Sequence, residues 1–427
     1  MIWHPYTIQK GQPNPLKIVR ASGEFLYDEK GNPYIDAVSS WWISIHGHNH
    51  PYIIEKVKES LSNLDHVLLA GYTHKNAEEL AEKLIQLTNQ NFKSVFYSDN
   101  GSCAIDIAIK IAFQYFKNIG KDKKETIIHF TNSYHGDTIG AMSVGGKSAF
   151  NAIFQNLLFS SPELTSPDCY NCPLKKNPDT CKEECLTDLE NFLKENADTT
   201  AAVILEPILQ GASGMKIFKK EVLIKIESLC EKYDIILILD EIFTGFGRTG
   251  KDFAYQYADI KPDIIALAKG LTGGVLPLAA TLVSEKVYEA FNSDIPHKAF
   301  YHGHTMTGNP SACAAGLASL ELYEQENRLE DVKRLESKLK KRMSHLEEKF
   351  NHKILNPRIL GAVCAFELEG NTDYLNPIAK KIREISLSLG VMIRPLGNTV
   401  YIAPAYTISD SSLDRIFEVL ETVVKNN

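Results

Sequence analysis

Two apolar runs of the sequence each end in a charged side chain that could carry chemistry. The run IILILD (235–240) ends in Asp240, and the run that follows Asp263 ends in Lys269, directly before a glycine-rich turn. A carboxylate at the carboxyl end of a buried parallel strand lies where α/β sheets hold ligands. A lysine that loses its hydration in such a place has a lowered pKa, and its amine becomes a nucleophile. Taken singly, Asp240 also fits a loop cap, and Lys269 a surface position at a strand end.

Taken together, these two side chains meet two requirements of pyridoxal phosphate. This cofactor needs a lysine for covalent attachment and an acid that keeps its ring nitrogen protonated. It also needs an anion site for its phosphate, and the free N–H groups of a helix N-terminus provide one. The segment SDNGSCA (98–104) joins an apolar run to a predicted helix, and Gly101 permits close approach of the backbone. Tyr134, after another apolar run, is placed to lay an aromatic ring against a flat cofactor.

Five motifs resemble those of the class III aminotransferases, and they follow one another in order along nearly the whole chain. They are Asn-Gly-Ser (100–102), Ser-Tyr-His-Gly-Asp-Thr (133–138), Glu-Pro-Ile-Leu-Gln-Gly (206–211), Asp-Glu-Ile-Phe-Thr-Gly-Phe-Gly-Arg-Thr-Gly (240–250) and Ala-Lys-Gly-Leu-Thr-Gly-Gly (268–274). The resemblance implies an enzyme that depends on pyridoxal phosphate and has the α/β architecture of fold type I. It also implies a homodimer in which each active site lies at the interface between subunits.

The resemblance implies a role for each matching position. Lys269 is similar to the lysine that binds the cofactor and moves the substrate proton as general base and acid. Asp240 is similar to the partner of the pyridine nitrogen. The other cofactor-binding residues that the resemblance implies are Tyr134 and Ile242 on the two ring faces, Gly101 and Ser102 at the phosphate, and Thr305, which would reach the phosphate from the neighbouring subunit.

Two segments outside these motifs resemble one subfamily, the class III aminotransferases of biotin synthesis. They are Trp-His-Pro-Tyr-Thr (3–7) and Ser-Ser-Trp-Trp (39–42). This subfamily converts 8-amino-7-oxononanoate, a long apolar chain that ends in a carboxylate, to 7,8-diaminononanoate. Arg394 is similar to the arginine that grips the carboxylate through its bidentate fork. Tyr6 is implied in catalysis as well as in binding. The substrate-binding residues that the resemblance implies are Tyr6, Trp41, Trp42, Tyr134, Asp137, Lys269, Gly303, Arg394 and Tyr401.

Several alternatives stay open at this point. The chain reads Gly-His-Thr at 303–305 where better-known members read Gly-Pro-Thr, so the role of His304 and the amino donor are unsettled. S-adenosylmethionine, the usual donor, is favoured over lysine, which one branch of the family uses. A different class III enzyme, acting on a diamine or an ω-amino acid, is the nearer alternative function, although the tryptophan pair and Arg394 speak against it. Glu206 resembles the switch glutamate of the class, and its role here is open.

A cysteine-rich segment and a run of histidines could bind metal. Four thiols at short spacing can hold zinc, or they can pack or pair within a family insertion. They are Cys169, Cys172, Cys181 and Cys185. His46, His48 and His50 could share one strand face, but they resemble a turn common in the class that binds no metal. A zinc-stabilised interaction protein is therefore the further alternative function, and the intact pair of Lys269 and Asp240 argues against it.

Composition narrows the class of protein. The 427 residues include 46 basic and 53 acidic side chains, so the net charge of −7 gives no general attraction to nucleic acid or anionic lipid. No apolar stretch approaches the roughly 18 residues that span a bilayer, and the first residues lack the pattern of a secretory signal. Eight cysteines are too few for a disulfide scaffold and fit a reducing compartment. We expect a cytoplasmic enzyme.

The pattern of apolar runs predicts how these residues are positioned. Between about 75 and 310, short apolar runs alternate with helical patterns, which predicts a mainly parallel central sheet covered by helices. After Pro310 we expect a charged helix at 327–350, strands at 359–368, 391–394 and 399–403, and a helix at 375–389. The predicted domains are an N-terminal arm at 1–50, a large cofactor-binding domain at 51–310 with the cysteine-rich insertion at about 163–186, and a C-terminal part at 311–427 that forms a small α+β domain with the arm.

Overall fold

The structure, a computed structural model, describes residues 2–10, 15–370 and 374–427. Parts of the predicted arm (1 and 11–14) and of the predicted C-terminal domain (371–373) lie outside the described residues. The described strands are β1 (Ile18–Ser22), β2 (Phe25–Asp28), β3 (Pro33–Asp36), β4 (Ser94–Ser98), β5 (Thr126–Phe130), β6 (Glu163–Leu164), β7 (Thr200–Leu205), β8 (Leu209–Gln210), β9 (Lys216–Ile217), β10 (Ile236–Asp240), β11 (Ile264–Leu267), β12 (Ala279–Val283), β13 (Leu355–Leu360), β14 (Val363–Glu367), β15 (Val391–Met392) and β16 (Thr399–Ile402).

Helices connect and cover these strands. The described α-helices are α1 (Ser39–Trp42), α2 (Pro51–Asn63), α3 (Lys75–Leu87), α4 (Gly101–Asn118), α5 (Ile139–Ser143), α6 (Thr187–Asn196), α7 (Lys220–Lys232), α8 (Glu285–Glu289), α9 (Pro310–Gln325), α10 (Arg328–Phe350), α11 (Pro377–Ser388) and α12 (Asp410–Lys425). Short 3-10 helices lie at Ala152–Leu157, Glu184–Leu186, Ala254–Tyr257, Lys269–Thr272 and Pro296–Lys298. Among the described helices, none has both the length and the apolar character that crossing a bilayer requires.

A seven-stranded sheet forms the centre, in the order β4-β12-β11-β10-β7-β5-β6. Its middle strand, β10, shows why the strands are apolar throughout. Ile236 and Ile238 pack into the core on one face, whereas Leu237 and Leu239 pack into the core on the other. Because helices cover both faces, neither set of alternating side chains meets water. Because β5, β6, β7, β10 and β11 run in the same direction, their carboxyl ends lie together at one edge of the sheet.

One strand of this sheet runs against the others. β12 pairs antiparallel with both β11 and β4, while β5, β6, β7, β10 and β11 pair in parallel. The prediction of a mainly parallel sheet therefore holds, with β12 as the exception. An apolar run reads the same for a buried strand of either direction, so the sequence pattern could not distinguish the two.

Strands from both ends of the chain share a second sheet. It has the order β1-β2-β3-β15, in which β15 pairs parallel with β3. The strands before and after β15 in the chain form a three-stranded antiparallel sheet, β13-β14-β16. The backbone of Ala37, just after β3, connects the two sheets: its N–H donates to the carbonyl of Met392 at 3.2 Å, and its carbonyl accepts from the N–H of Ala403 at 2.8 Å.

The single strand predicted at 359–368 is wrong. β13 ends at Leu360 and β14 begins at Val363, so the segment is a hairpin. Gly361 in the turn has a φ of +56°, and a Cβ at this position would collide with the backbone of Thr249. A glycine is therefore required here by conformation and by space. The predicted helices and the remaining strands have bounds within a few residues of those observed.

The two covered faces of β10 predict similar costs for truncation on either side. Leu237→Ala and Ile238→Ala each remove a side chain that is at most 2 % exposed, and we expect each to lower the free energy of unfolding by about 2–5 kcal/mol. Leu61→Ala, at a position 57 % exposed, is the control and should change it by less than about 0.5 kcal/mol. Chemical denaturation of the three variants tests this, and a cost at only one of the two buried positions would contradict the two-sided packing.

Candidate active site

A cavity of about 710 Å³ lies at the carboxyl edge of the central sheet. Its walls come from the segments that follow β4, β5, β10 and β11, which is where open α/β sheets hold ligands. The predicted site residues that line it are Gly101, Ser102, Tyr134, Asp137, Asp240, Ile242 and Lys269. The fold therefore brings together, from four separate segments, the residues predicted to bind the cofactor, with the exception of Thr305.

Lys269 follows β11 and points into this cavity. Its Nζ lies 4.9 Å from the centre of the Trp42 ring and 6.0 Å from that of Phe243. Burial lowers the pKa of Lys269, and the negative charges of Asp240 and Glu206 oppose this shift in part. Because the amine is held among aromatic rings instead of in water, a larger fraction of it is neutral near pH 7 than for an ordinary lysine. A neutral amine can act as a nucleophile or accept a proton.

Asp240 is fixed by a histidine to which the sequence analysis gave no role. Its Oδ2 lies 2.7 Å from Nδ1 of His135, and its Oδ1 accepts the N–H of Ile242 at 3.0 Å. Both side chains are at most 5 % exposed. The buried Nε2 of His135 has no hydrogen-bond partner within the described part of the chain. The one signal that could have identified His135 is its position in the motif at 133–138.

The N-terminus of α4 opens into the same cavity. The Asn100 side chain caps the helix by accepting the N–H of Cys103 at 3.0 Å. Ser102 Oγ accepts the N–H of Thr138 at 3.0 Å, which ties the helix start to the segment after β5. A Cβ on Gly101 would lie 2.8 Å from Cδ1 of Ile242, so the close packing of these two residues requires glycine. The first turn of an 18-residue helix thus presents N–H groups suited to an anion.

Three predicted residues form a hydrogen-bonded group at the mouth of the cavity. The Tyr134 hydroxyl donates to Oδ2 of Asp137 at 3.0 Å and lies 3.0 Å from the Tyr6 hydroxyl, which also donates to Asp137. Burial, followed by the hydrogen bond to Asp137, raises the pKa of Tyr6 to about 12. Burial also raises the pKa of Tyr134. Both hydroxyls therefore stay protonated near pH 7 and can donate.

The two predicted tryptophans connect Lys269 to the predicted arginine. Trp42 is beside Lys269, and its Nε1 donates to the Tyr401 hydroxyl at 3.2 Å. Trp41 is beside Arg394, whose guanidinium carbon lies 4.4 Å from the ring centre. The rings of these two adjacent tryptophans, one beside Lys269 and one beside Arg394, are called the aromatic wall below.

Two aromatic residues that the sequence analysis missed extend this wall. The Tyr374 hydroxyl accepts from Nη2 of Arg394 at 2.9 Å, and the ring centres of Tyr374 and Phe150 are 4.6 Å apart. Phe150 also lies 5.7 Å from the Tyr6 ring. Both stand alone in otherwise unremarkable segments, so neither composition nor spacing indicated them.

The tryptophans are carried by a backbone turn of the opposite hand to an ordinary helix. The short element α1 is this left-handed turn and not a regular α-helix: the φ angles of Ser39, Ser40, Trp41 and Trp42 are +49°, +45°, +72° and +78°. For residues other than glycine this conformation costs about 1–2 kcal/mol each. Such strain persists only where the surrounding structure imposes it.

Gly303 and Thr305 do not reach this cavity in their own chain. They line a separate cavity of about 1180 Å³. The intervening His304 places its Nε2 3.3 Å from Oδ1 of Asp99, in the loop before Gly101.

Glu206, whose role the sequence left open, is a buried carboxyl beneath the site. It accepts the N–H groups of Gly211 at 2.9 Å and of Tyr134 at 3.5 Å. Burial raises its pKa to about 7, and the charge of Asp240 adds to the shift.

The candidate metal ligands do not converge on a site. The cysteines of the segment 163–186 are free thiols. Across residues 2–10, 15–370 and 374–427, no group of three or more histidine, cysteine, aspartate or glutamate side chains is arranged to hold a metal ion. The three histidines have separate partners: His46 lies 3.1 Å from Ser319 Oγ, His48 lies 2.8 Å from Asp36, and His50 lies 4.0 Å from Glu326.

Comparison with known proteins identifies the class. Residues 7–424 match the family "Aminotransferase class-III", and the chain belongs to the class III aminotransferases. It is 40 % identical to the adenosylmethionine-8-amino-7-oxononanoate aminotransferase of Staphylococcus aureus, across 100 % of this chain and 96 % of that protein. The family confirms the predicted fold class, the transaminase activity and pyridoxal phosphate as the cofactor.

Two solved structures are similar over their full length. The enzyme of the same name from Methanocaldococcus jannaschii is 35 % identical, with a TM-score of 0.92 over 100 % of this chain and 97 % of that one. An amine transaminase from an uncultivated Pseudomonas species, solved with pyridoxal phosphate bound, is 29 % identical, with a TM-score of 0.94 over 100 % and 98 %.

The raised pKa of Glu206 predicts how stability depends on pH. Its folded-state pKa of about 7 lies above the usual 4.5, so folding favours the protonated form. The stability that this preference contributes is present below pH 4.5 and is lost as the pH rises to about 7, at up to about 1.4 kcal/mol per pH unit. Glu206→Gln mimics the protonated carboxyl and escapes this loss.

We therefore expect Glu206→Gln to gain stability relative to the wild type between pH 5 and about 7, measured by chemical denaturation at each pH. The control is Glu29→Gln, which removes an exposed carboxylate paired with Lys17. Its difference from the wild type should stay nearly constant over the same range. A constant difference for Glu206→Gln as well would contradict the raised pKa of the buried Glu206 carboxyl.

Proposed function

We propose that this enzyme transfers an amino group to 8-amino-7-oxononanoate, giving 7,8-diaminononanoate for biotin synthesis, with S-adenosylmethionine as the donor. The observation that carries the proposal is the aromatic wall from Lys269 to Arg394, formed by Trp42 and Trp41. A substrate with a reactive carbonyl, an apolar chain and a terminal carboxylate matches a lysine, aromatic rings and a guanidinium in that order. The Staphylococcus aureus relative bears the name of this reaction, and its name also supports the donor.

The residues of the cavity fit pyridoxal phosphate. The N-terminus of α4, with Gly101 and Ser102, would hold the phosphate, because its free N–H groups open into the cavity. Asp240, held by His135, would face the ring nitrogen, with Tyr134 and Ile242 on the two ring faces. When bound, the cofactor supplies an electron sink, and it carries the amino group from the donor to the acceptor.

The side chains of the chain itself would perform the proton transfers and the positioning. Lys269 Nζ, once free, would take the proton from the carbon that bears the donor amine and pass it on within the first half of the reaction. In the second half it would deliver a proton to the substrate carbon that receives the amino group. Its desolvation favours the neutral amine that this requires. The hydroxyls of Tyr6 and Tyr134, with Asp137, would hold the polar end of the substrate. Arg394 would bind the far carboxylate.

A second candidate substrate class is an amine without a carboxylate, because the Pseudomonas amine transaminase has the same fold at a TM-score of 0.94. Arg394 opposes it, since a guanidinium set among Trp41, Tyr6 and Tyr374 would then have no anion to bind.

We further infer that the enzyme is a cytoplasmic homodimer. Each subunit would consist of an arm at 1–50, a large domain at 51–310 and a C-terminal part at 311–427. Gly303 and Thr305 line a cavity outside their own chain's site, which fits a contribution to the partner's site. The nearby Leu68, Tyr301 and Met306 are 53 %, 77 % and 52 % exposed, and an apolar surface of this kind is typical of an interface. The free thiols fit a reducing compartment.

The role of Lys269 is tested by its replacement. In Lys269→Ala, the visible absorbance of the enzyme-bound cofactor and the steady-state turnover should both be lost, because the cofactor has no amine to bind and the substrate proton has no base. Lys251→Ala, at an exposed lysine just after the glycine of the motif 240–250, is the matched control and should retain both. Turnover that survives in Lys269→Ala would end the assignment.

The role of Arg394 is tested by removing its charge while keeping its length. Arg394→Met should raise KM for 8-amino-7-oxononanoate about 10- to 100-fold, since hydrogen bonds to a charged group contribute about 1.5–3 kcal/mol. Arg415→Met, at an exposed arginine paired with Glu418 at 3.0 Å, is the control. An unchanged KM in Arg394→Met would show that another group binds the carboxylate.

A further inference from the structure

We propose that Asp36 and His48 are positioning residues for substrate binding, because they impose the left-handed turn that carries Trp41 and Trp42. The identity of the substrate in this inference rests on the proposed function. The role of Asp36 and His48 in the conformation of the turn does not. Neither residue contacts the cavity at the sheet edge, and both lie behind the tryptophans, on the strand β3 and on the segment that leads to α2.

The Asp36 carboxylate holds the turn at its beginning. Its Oδ1 accepts the N–H of Val38 at 3.1 Å, and its Oδ2 accepts the Ser40 hydroxyl at 2.8 Å. The same Oδ2 lies 2.8 Å from Nε2 of His48. The Asp36 side chain is 1 % exposed and that of His48 is 14 % exposed, so water competes little for these contacts. One buried carboxylate thus joins the residues on both sides of the turn.

The backbone of His48 is itself fixed by hydrogen bonds, so its side chain is held in place beside Asp36. Its N–H donates to the Gly23 carbonyl at 2.7 Å, and its carbonyl accepts the Gly23 N–H at 3.1 Å, between β1 and β2. The first residue of the turn has a further anchor: Ser39 Oγ donates to the Ala403 carbonyl at 2.8 Å. The turn is therefore held by contacts with the segments that follow both small sheets, in addition to its own backbone hydrogen bonds, such as the one from the Trp42 N–H to the Val38 carbonyl at 2.8 Å.

The sequence of the turn gives a reason why such support is needed. Ser39, Ser40, Trp41 and Trp42 include neither glycine nor asparagine, the residues that adopt positive φ at least cost. Without the Asp36 carboxylate, these residues would relax toward ordinary backbone conformations. Trp41 would then move away from Arg394 and Trp42 away from Lys269, so the aromatic wall would be lost.

The test uses the full-length enzyme with its cofactor, in a Trp3→Phe background. The chain has three tryptophans, and Trp3 is 84 % exposed, so this change leaves Trp41 and Trp42 as the only reporters of the turn. In that background, Asp36→Asn should raise KM for 8-amino-7-oxononanoate at least about tenfold, retain the visible absorbance of the bound cofactor and shift the tryptophan emission to the red. His48→Gln should do the same to a smaller extent and serves if Asp36→Asn fails to fold. Glu29→Gln, at an exposed carboxylate that lies in the turn between β2 and β3 and pairs with Lys17, is the matched control and should change none of these values.

A glycine at position 40 separates positioning from general stability. Ser40→Gly, added to Asp36→Asn, relieves the cost of positive φ without restoring the lost carboxylate, and it should lower KM severalfold and reverse part of the emission shift. Unchanged KM and emission in both Asp36→Asn and His48→Gln would overturn the proposal. So would a raised KM that Ser40→Gly leaves uncorrected. If the wild type does not accept 8-amino-7-oxononanoate, the proposed function fails, while the emission shift and its reversal still decide the role of Asp36.

Discussion

The site depends on the desolvation of one amine. Lys269 lies at the end of an apolar strand, with its Nζ above the rings of Trp42 and Phe243, and burial lowers its pKa. Asp240 and Glu206 limit that shift by their charge, yet they do not form ion pairs with the amine among the described contacts. The amine is therefore kept available for bond formation and proton transfer. The sheet edge, the helix start and the aromatic wall are arranged around this point.

The remaining charges of the site are fixed by hydrogen bonds from separate segments. Asp240 is held by His135 and by the N–H of Ile242, and Arg394 is held by Tyr374 and Trp41. Fixed charges of this kind need not reorganise when a substrate arrives, and this preorganisation is a main source of catalytic power. The backbone of the turn at 39–42 is likewise held in a strained conformation, and this conformation places the rings of Trp41 and Trp42.

Much of this could be predicted from the sequence, and the exceptions share a cause. Asp240 and Lys269 were identifiable because each is the first charged residue after an apolar run, and the strands because their side chains are buried on both faces. The direction of β12 could not be predicted, since burial does not depend on strand direction. The contact of His135 with Asp240 joins residues 105 positions apart, and the contact of Ser39 with Ala403, which helps to hold the turn at Ser39–Trp42, joins residues 364 positions apart. Local patterns carry no information on such long-range contacts.

The most direct test of the proposed function is a pair of half-reactions, followed by the visible absorbance of the bound cofactor. S-adenosylmethionine and lysine are added separately to the purified enzyme, and 8-amino-7-oxononanoate is added after the excess donor has been removed. We expect S-adenosylmethionine to bleach the absorbance, lysine to leave it unchanged, and 8-amino-7-oxononanoate to restore it. Bleaching by lysine alone would contradict the donor and leave the reaction in place. Failure of 8-amino-7-oxononanoate to restore the absorbance of a bleached enzyme would contradict the substrate, and with it the central claim.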